Sequence, residues 1–304
     1  MARYHDGIRR HPHNERTSSG GMRRPLGILP DKGRGRMPPF LPRLPAPLVP
    51  APGAAPFVSS QGAQRLGRIM LSRTIVIGDL HGCYDEALEL LEKVGATSQD
   101  RILFVGDLVD RGPKPRECVE LAMRHEAIQG NHEEKHLQQR HRADDRLTPD
   151  HLETRRALEP EHFDYMARLP FYLRLPEYNA AVVHAGVMPG KRLEDQDPYH
   201  LLHAQCIRPP ESKSHWPSKA PSTHRFWTHH WTGPERIIFG HTVFDQPLVT
   251  PHAVGIDTGC VYGRSLTAVV LPSWELVSVP ARRAYRGGKN VARFPIHGEV
   301  SVFS

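Results

Sequence analysis

The sequence predicts an α/β fold in which helices cover a β-sheet. From Thr74 onward, short apolar runs alternate with amphipathic runs, in the order TIVI, YDEALELLEKV, ILFV, PRECVELAMRH and AIQ. This order is typical of βαβ units, in which a helix packs across the sheet between two strands. In the first helical run, apolar residues recur at three- and four-residue spacing, at Ala87, Leu88, Leu91 and Val94. We therefore expect that side of the helix to pack on the sheet.

The second half of the chain is dominated by strand-like runs. After AAVV at residues 180–183 come RIIF, AVGI, LTAVVL and WELVSV, with turn residues between them and no room for helices. Apolar or alternating runs of this length are typical of strands. We expect an antiparallel β section to close the domain.

Two segments do not follow the strand and helix pattern. Residues 133–161 are rich in charge and helical in propensity, so we expect an excursion over the surface. Residues 208–224 are rich in proline and have no periodicity, which predicts a loop. The length of this loop makes it a candidate for shaping the substrate site.

The first 70 residues differ in composition from the rest. They hold eleven prolines, nine glycines, twelve Arg or Lys residues and three acidic residues. This composition predicts a disordered basic extension over 1–70, followed by a folded domain over 71–285 and a tail over 286–304. The extension carries a charge of +9 against +7 for the whole chain. We therefore expect nucleic-acid binding only through the extension, if at all.

Membrane association and structural disulfides are not expected. The sequence has no apolar run of the roughly 18 to 20 residues that a membrane span requires. The four cysteines are widely separated and form no CxxC pair, which favours reduced thiols. We expect a cytoplasmic protein.

Metal-competent side chains follow apolar runs at five places. The motifs are GDLHG at 78–82, GDLVDRG at 106–112, GNHE at 130–133, HAG at 184–186 and GHT at 240–242. The carboxyl ends of parallel strands lie along one edge of a sheet, so these side chains should converge there. Each motif by itself is weak evidence for a metal site, but five motifs that each directly follow a predicted strand do not arise by chance.

Together the five motifs resemble those of the calcineurin-like metallophosphoesterases, over about residues 74–280. The chain is similar to the phosphoprotein phosphatase branch, because DRG follows the second aspartate and Val243 stands where nuclease-like members carry histidine. The segment IDTGCVYG at 256–263 is similar to bacterial members that act on dinucleoside polyphosphates or phosphorylated proteins. The resemblance implies a metallophosphoesterase-type β-sandwich flanked by helices, in αββα layers.

The resemblance also implies a dinuclear metal centre. Its implied ligands are Asp79 and His81 on the first ion, Asp107 between the ions, and Asn131, His184 and His241 on the second. Asp257 would lie near the first ion. Carboxylate, amide and imidazole ligands suit Mn, Fe or Zn. Two such ions activate a shared hydroxide and bind phosphate oxygens for in-line displacement, so no protein nucleophile is required.

Three further residues are predicted to act on the substrate. His132 is a candidate general acid, with Asp110 orienting its ring, although His132 could instead only fill the turn. The planar guanidinium of Arg111 suits phosphate oxygens, although it could instead pair with Asp110. Arg225 resembles a second phosphate-binding arginine of related bacterial enzymes.

The sequence therefore predicts a metal-dependent phosphoester hydrolase. Its first interpretation is a serine/threonine-type phosphoprotein phosphatase that acts on phosphorylated proteins. The alternative is a bis(5'-nucleosyl)-tetraphosphatase or a related nucleotide polyphosphate hydrolase. Symmetrical hydrolases of that group commonly lack the aspartate found here at position 110, which places the alternative second. A remote alternative is an inactive phosphate-binding scaffold.

Overall fold

The computed structural model describes residues 73–211 and 213–287. The predicted extension over 1–70 and residues 288–304 of the predicted tail lie outside this range. Within the described residues, six α-helices are found: α1 Tyr84–Lys93, α2 Pro115–Ala122, α3 Asn131–Gln138, α4 Pro149–Ala157, α5 Pro160–Met166 and α6 Pro198–His203. The charge-rich segment over 133–161 is largely helical, as expected, because it contains most of α3 and all of α4.

The first five-stranded sheet has the order β12-β11-β1-β2-β3. Its strands are β1 Thr74–Ile77, β2 Arg101–Phe104, β3 Glu126–Ala127, β11 Ser265–Leu271 and β12 Glu275–Pro280. β1, β2 and β3 are parallel, whereas β11 runs antiparallel to both β1 and β12. The parallel strands therefore end at one edge, as βαβ units require.

The second five-stranded sheet has the order β4-β5-β8-β10-β9. Its strands are β4 Tyr172–Leu175, β5 Ala180–Val183, β8 Arg236–Phe239, β9 Leu248–Val249 and β10 Ala253–Gly255. The expected antiparallel closing section is correct for β11 and β12 but wrong for β8 and β10, which are parallel. The reason is that β9 lies between them in the chain and pairs antiparallel with β10, so the chain enters β10 in the direction of β8.

The two sheets pack face to face with helices on the outside. Val76, Leu103 and Ile238 belong to one apolar cluster between the sheets, and each is fully buried. Their strand neighbours point the other way, so Ile75 and Ile77 pack in a separate cluster with the helices. Alternation along the strands thus produces the two inner faces of a sandwich. The predicted αββα layering is confirmed.

One detail of the predicted helix packing is wrong. In α1 the fully buried apolar residues are Ala87 and Leu90, whereas Leu88 is 42% exposed. Successive helix residues are rotated by about 100°, so a face that buries Ala87 and Leu90 turns Leu88 toward solvent. Leu91 and Val94 pack only at the edge of the cluster.

The proline-rich segment over 208–224 is a loop, as expected. It connects β6 Cys206–Ile207 to β7 Arg225–Phe226, two short antiparallel strands. A backbone bridge between Cys206 and His215 and a single 3-10 turn over Pro217–Lys219 are its regular features. The paired strands bring both ends of the loop together, which fixes where it projects.

Two further features of the described residues are the length of the helices and the state of the cysteines. Between residues 73 and 287, no helix has both the length and the apolar character needed to cross a membrane. Cys83, Cys118, Cys206 and Cys260 are all buried free thiols.

We expect the layer between the sheets to dominate stability. Leu103→Ala removes a fully buried side chain from that layer, whereas Leu88→Ala makes the same chemical change on the exposed side of α1. The first should lower the free energy of unfolding by about 2 to 5 kcal/mol, and the second should change it by no more than about 0.5 kcal/mol. Urea denaturation measures both. Equal losses would contradict the packing described above.

Candidate metal centre

The five motif turns meet at the carboxyl edge of the parallel strands, around the carboxylate of Asp107. One oxygen of Asp107 lies 3.4 Å from His81 Nε2, and the other lies 3.3 Å from His184 Nε2. Both histidines and Asp107 are buried. The structure thus brings side chains from the ends of β1, β2 and β5 into direct contact.

Asn131 and His241 extend this cluster on the His184 side. The amide oxygen of Asn131 lies 3.0 Å from His184 Nε2 and 2.8 Å from His241 Nδ1. The backbone N–H of His241 donates to both carboxylate oxygens of Asp79, at 3.1 and 3.0 Å. A Cβ at Gly240 would collide with that carboxylate, so only glycine permits the approach.

Two groups of side chains here could each hold a metal ion. His81, Asp107 and His132 form one group, and Asp107, His184 and His241 form the other, with the ligand atoms of each group within 4.8 Å of one another. Asp107 belongs to both. Carboxylate, amide oxygen and imidazole are the donors that Mn, Fe and Zn accept, so this donor set fits a pair of divalent ions.

The histidines are held in the form that binds metal. His81 and His184 each donate Nδ1–H to a backbone carbonyl, at 2.9 Å to Val109 and 2.8 Å to Val105, which leaves the Nε2 lone pair directed at Asp107. Burial lowers the pKa of both rings, and burial together with His184 lowers that of His241. Neutral imidazoles are required for coordination.

The buried carboxyl groups also favour a bound cation. Burial, followed by the charges of Asp257 and Asp107, raises the pKa of Asp79 well above its usual range. Burial raises the pKa of Asp257 to about 6. Burial also acts on Asp107, but His184, His132 and His81 together hold its pKa below the usual range. A divalent cation would stabilise the ionised form of all three groups.

The backbone at this edge is conformationally unusual. His81, Asp107 and His241 have φ angles of 43°, 50° and 64°. Asp110 and Arg111 have φ angles of 69° and 71°. Non-glycine residues rarely adopt positive φ, and such strain concentrates at functional sites. The turns are thus shaped to direct side chains into the cluster.

His132 lies beside Asp107 and is held by Asp110. Its Nδ1 donates to Asp110 Oδ2 at 2.6 Å, and its Nε2 lies 4.0 Å from Asp107 Oδ2. The other oxygen of Asp110 accepts from His136 Nε2 at 2.7 Å, and His151 packs on His136 with ring centroids 3.9 Å apart. Burial lowers the pKa of His151 to about 4. These contacts orient His132 toward Asp107.

Residues 72–245 match the sequence model of the family described as calcineurin-like phosphoesterase. The chain belongs to this family. It is 32% identical over 242 residues to the bis(5'-nucleosyl)-tetraphosphatase PrpE (asymmetrical) of Halalkalibacterium halodurans, with 68% of this chain and 94% of the relative covered. It is 30% identical to the protein of that name from Oceanobacillus iheyensis, with 69% and 93% covered.

A solved structure agrees with these relatives. A crystal structure provisionally described as a diadenosine tetraphosphatase superimposes with a TM-score of 0.62 at 28% identity. The match covers 70% of this chain and 95% of the other. The protein is therefore a phosphoester hydrolase with the fold of its family, whose members use a dinuclear divalent metal centre.

Sequence reasoning missed Glu133, the last residue of the GNHE motif. Its carboxylate is fully buried and accepts from the backbone N–H groups of Asp107 at 2.8 Å, Leu108 at 2.9 Å and Gly130 at 2.8 Å. Burial raises the pKa of Glu133. The three N–H donors act in the opposite direction, because they stabilise the ionised carboxylate, both of whose oxygens accept hydrogen bonds. The sequence signal that could have identified Glu133 is its position three residues after the N-cap of α3, where a glutamate commonly accepts from the N-cap backbone N–H.

Sequence reasoning also missed His136 and His151. His136 stands four residues after His132, so both rings lie on one face of α3, and this spacing was visible in the sequence. His151 comes from α4, and only the tertiary packing of that helix brings it near Asp110.

The two predicted phosphate-binding arginines have different surroundings. Arg111 donates to His81 Nε2 and, at 2.8 Å, to His132 Nε2, so its guanidinium covers the cluster. Arg225 lies on β7, and its guanidinium donates to the carbonyls of Ser222 at 2.6 Å and His224 at 3.1 Å. Its own loop thus holds Arg225, whose role in phosphate binding stays a prediction.

We expect Glu133 to stabilise the turn that carries Asp107. Glu133→Gln replaces one acceptor oxygen by an NH₂ group and leaves buried N–H groups unpaired, which should cost about 1 to 3 kcal/mol of unfolding free energy. Glu153→Gln on the exposed side of α4 is the matched control and should change stability by no more than about 0.5 kcal/mol. Denaturant titration measures both. A Glu133→Gln variant as stable as its control would refute this role.

Proposed function

We propose that the protein hydrolyses bis(5'-nucleosyl) tetraphosphates asymmetrically, to a nucleoside triphosphate and a nucleoside monophosphate. The observation that supports this most is the pair of side-chain groups that share Asp107 in a chain similar to asymmetrical tetraphosphatases over nearly their whole length. Two adjacent ions suit displacement at phosphorus, because they activate the attacking water and bind the phosphate oxygens.

This proposal reverses the order of the two interpretations drawn from the sequence. Phosphoprotein phosphatase stood first because the DRG, GNHE and GHT motifs favour it, and the tetraphosphatase stood second because symmetrical tetraphosphatases commonly lack an aspartate at position 110. The similar relatives are named asymmetrical tetraphosphatases, so that argument does not count against them. Asp110 holds His132 in this structure, a role that serves either substrate.

The proposed ligands are those that the resemblance implied. They are Asp79, His81 and Asp107 for one ion, and Asp107, Asn131, His184 and His241 for the other. His132, which lies in the same group as His81 and Asp107, is assigned to proton transfer, and the charge of Asp257 acts on Asp79. When bound, the two ions supply positive charge that lowers the pKa of the attacking water and stabilises charge on the phosphate oxygens. Their identity, Mn, Fe or Zn, is left to metal analysis.

The remaining steps belong to side chains of this protein. The guanidinium of Arg111 presents its N–H groups toward the cluster and would bind two non-bridging phosphate oxygens. The Nδ1–H of His132 is fixed on Asp110, and its Nε2 accepts from Arg111 in this structure. Once Arg111 binds the phosphate instead, Nε2 would carry a proton to the leaving oxygen. Glu133 keeps Asp107 in place and does not touch substrate.

The proposed reaction is identified by its products. Incubation of the Mn-loaded protein with diadenosine tetraphosphate should give ATP and AMP in equal amounts, separated by ion-exchange chromatography. Removal of metal with a chelator should abolish turnover, and Mn should restore it. Two molecules of ADP would contradict asymmetrical cleavage. Faster turnover of phosphoserine peptides than of the tetraphosphate would restore the phosphoprotein phosphatase interpretation.

The proposed acid is tested by varying the leaving group. His132→Ala should slow hydrolysis of phenyl phosphate by about 10²- to 10⁴-fold. The loss with p-nitrophenyl phosphate should be smaller, because nitrophenolate leaves without protonation. His125→Ala, at an exposed position after α2, is the control and should leave both rates unchanged. Equal losses on the two esters would remove His132 from this role.

A further inference from the structure

Two exposed aromatic side chains stand at the rim of the metal centre. Among the described residues, four large apolar side chains are exposed: Leu88 at 42%, Met123 at 43%, Tyr199 at 52% and Trp216 at 57%. Leu88 lies on α1 and Met123 directly follows α2, whereas the ring of Trp216 is next to that of His241 and the ring of Tyr199 is linked to it through His203. A single exposed apolar residue requires no explanation, but two exposed aromatic residues near the proposed metal centre do.

Trp216 lies in the loop between β6 and β7, next to a proposed ligand. The centroid of its ring is 5.7 Å from that of His241, and the two planes differ by 31°. The two rings are therefore tilted neighbours, and more than half of Trp216 remains accessible. Trp216 extends the surface of the metal centre outward.

Tyr199 on α6 belongs to the same rim. Its ring lies 4.9 Å from that of His203, and the His203 ring lies 6.2 Å from that of His241. His203 is held by Glu134, at 3.0 Å from Nε2 to the carboxylate. A row of rings thus connects Tyr199, through His203, to His241.

The other aromatic residues of this region have a different role. Phe226, Trp227 and Trp231 are buried in the cluster on the outer face of the second sheet, with exposures of 5%, 0% and 3%. The indole N–H of Trp227 donates to the carbonyl of Ala185 at 3.0 Å. They pack the sheet and are not accessible to a ligand, which leaves Trp216 and Tyr199.

We propose that Trp216 is the platform on which a nucleobase of the substrate stacks. This inference rests on the proposed function. In a nucleoside 5'-phosphate the ribose separates the base from phosphorus. The ring of Trp216 is next to that of His241, a proposed metal ligand, so a base can reach Trp216 while its phosphate lies at the metal centre. Stacking on an indole accepts any base, because every base has a π-face. The platform therefore provides affinity for nucleotides over phosphates without a base, with little selectivity among bases.

Kinetics with Trp216→Ala test the platform in the full-length, metal-loaded protein. KM for diadenosine tetraphosphate should rise by roughly 5- to 150-fold, the equivalent of losing one stacked base. Trp216→Phe keeps a flat ring and should recover most of the affinity. Inhibition by inorganic triphosphate, which has no base, should be unchanged in both variants. Met123→Ala, which removes an exposed side chain after α2, is the matched control.

An unchanged KM for Trp216→Ala, or an equal loss of affinity for inorganic triphosphate, would overturn the platform. Neither result would affect the proposed function, which depends on the products formed by the wild type. If the wild type does not cleave the tetraphosphate, the proposed function fails and a binding measurement still tests the platform.

Fluorescence provides that measurement. The chain has four tryptophans, of which Trp216 is the exposed one among the described residues. AMP should quench part of the fluorescence, whereas ribose 5-phosphate should not, and Trp216→Phe should abolish the AMP-dependent quenching. Persistence of that quenching in Trp216→Phe, or an equal response to ribose 5-phosphate, would contradict stacking on Trp216.

Discussion

The position of one buried carboxylate, that of Asp107, determines most of the structure at this edge of the sandwich. One of its oxygens accepts the backbone N–H of His132 at 3.0 Å, and both lie against histidines from other strands. Its own backbone N–H is bound by Glu133. A Cβ at Gly130 would collide with Asp107, so the first position of the GNHE motif requires glycine. Strands from both sheets end where they can reach this group.

Such an arrangement is unfavourable without a compensating charge. Buried carboxyl groups at Asp79, Asp107 and Asp257 and neutral imidazoles are crowded together, and several turns adopt left-handed backbone conformations. The fold remains stable despite this unfavourable free energy because apolar layers on both faces of each sheet hold the turns in place. Divalent ions fit the donors and would offset the repulsion. Rigidity of the scaffold and the chemistry of the site are thus linked.

The sequence predicted the convergence of the motifs because each lies directly after an apolar strand, and strand direction fixes where such residues meet. It did not predict that β8 and β10 are parallel, since β9 has only two residues and carries no periodic signal. It also missed His151, which reaches Asp110 only through the packing of α4. The sequence ranked the phosphoprotein phosphatase above the tetraphosphatase partly because of the aspartate at position 110. Asp110 binds His132, and this contact does not distinguish between the two substrates.

Metal analysis measures whether two divalent ions share Asp107, as we propose. We expect the Mn-loaded wild type to contain two ions per chain by mass spectrometry of the metal, with an electron paramagnetic resonance spectrum typical of a spin-coupled pair. Asp107→Asn should lose the coupled spectrum and at least one ion, whereas the exposed control Asp145→Asn should keep both. One ion in the wild type, or an unchanged coupled pair in Asp107→Asn, would show that Asp107 does not bridge two ions.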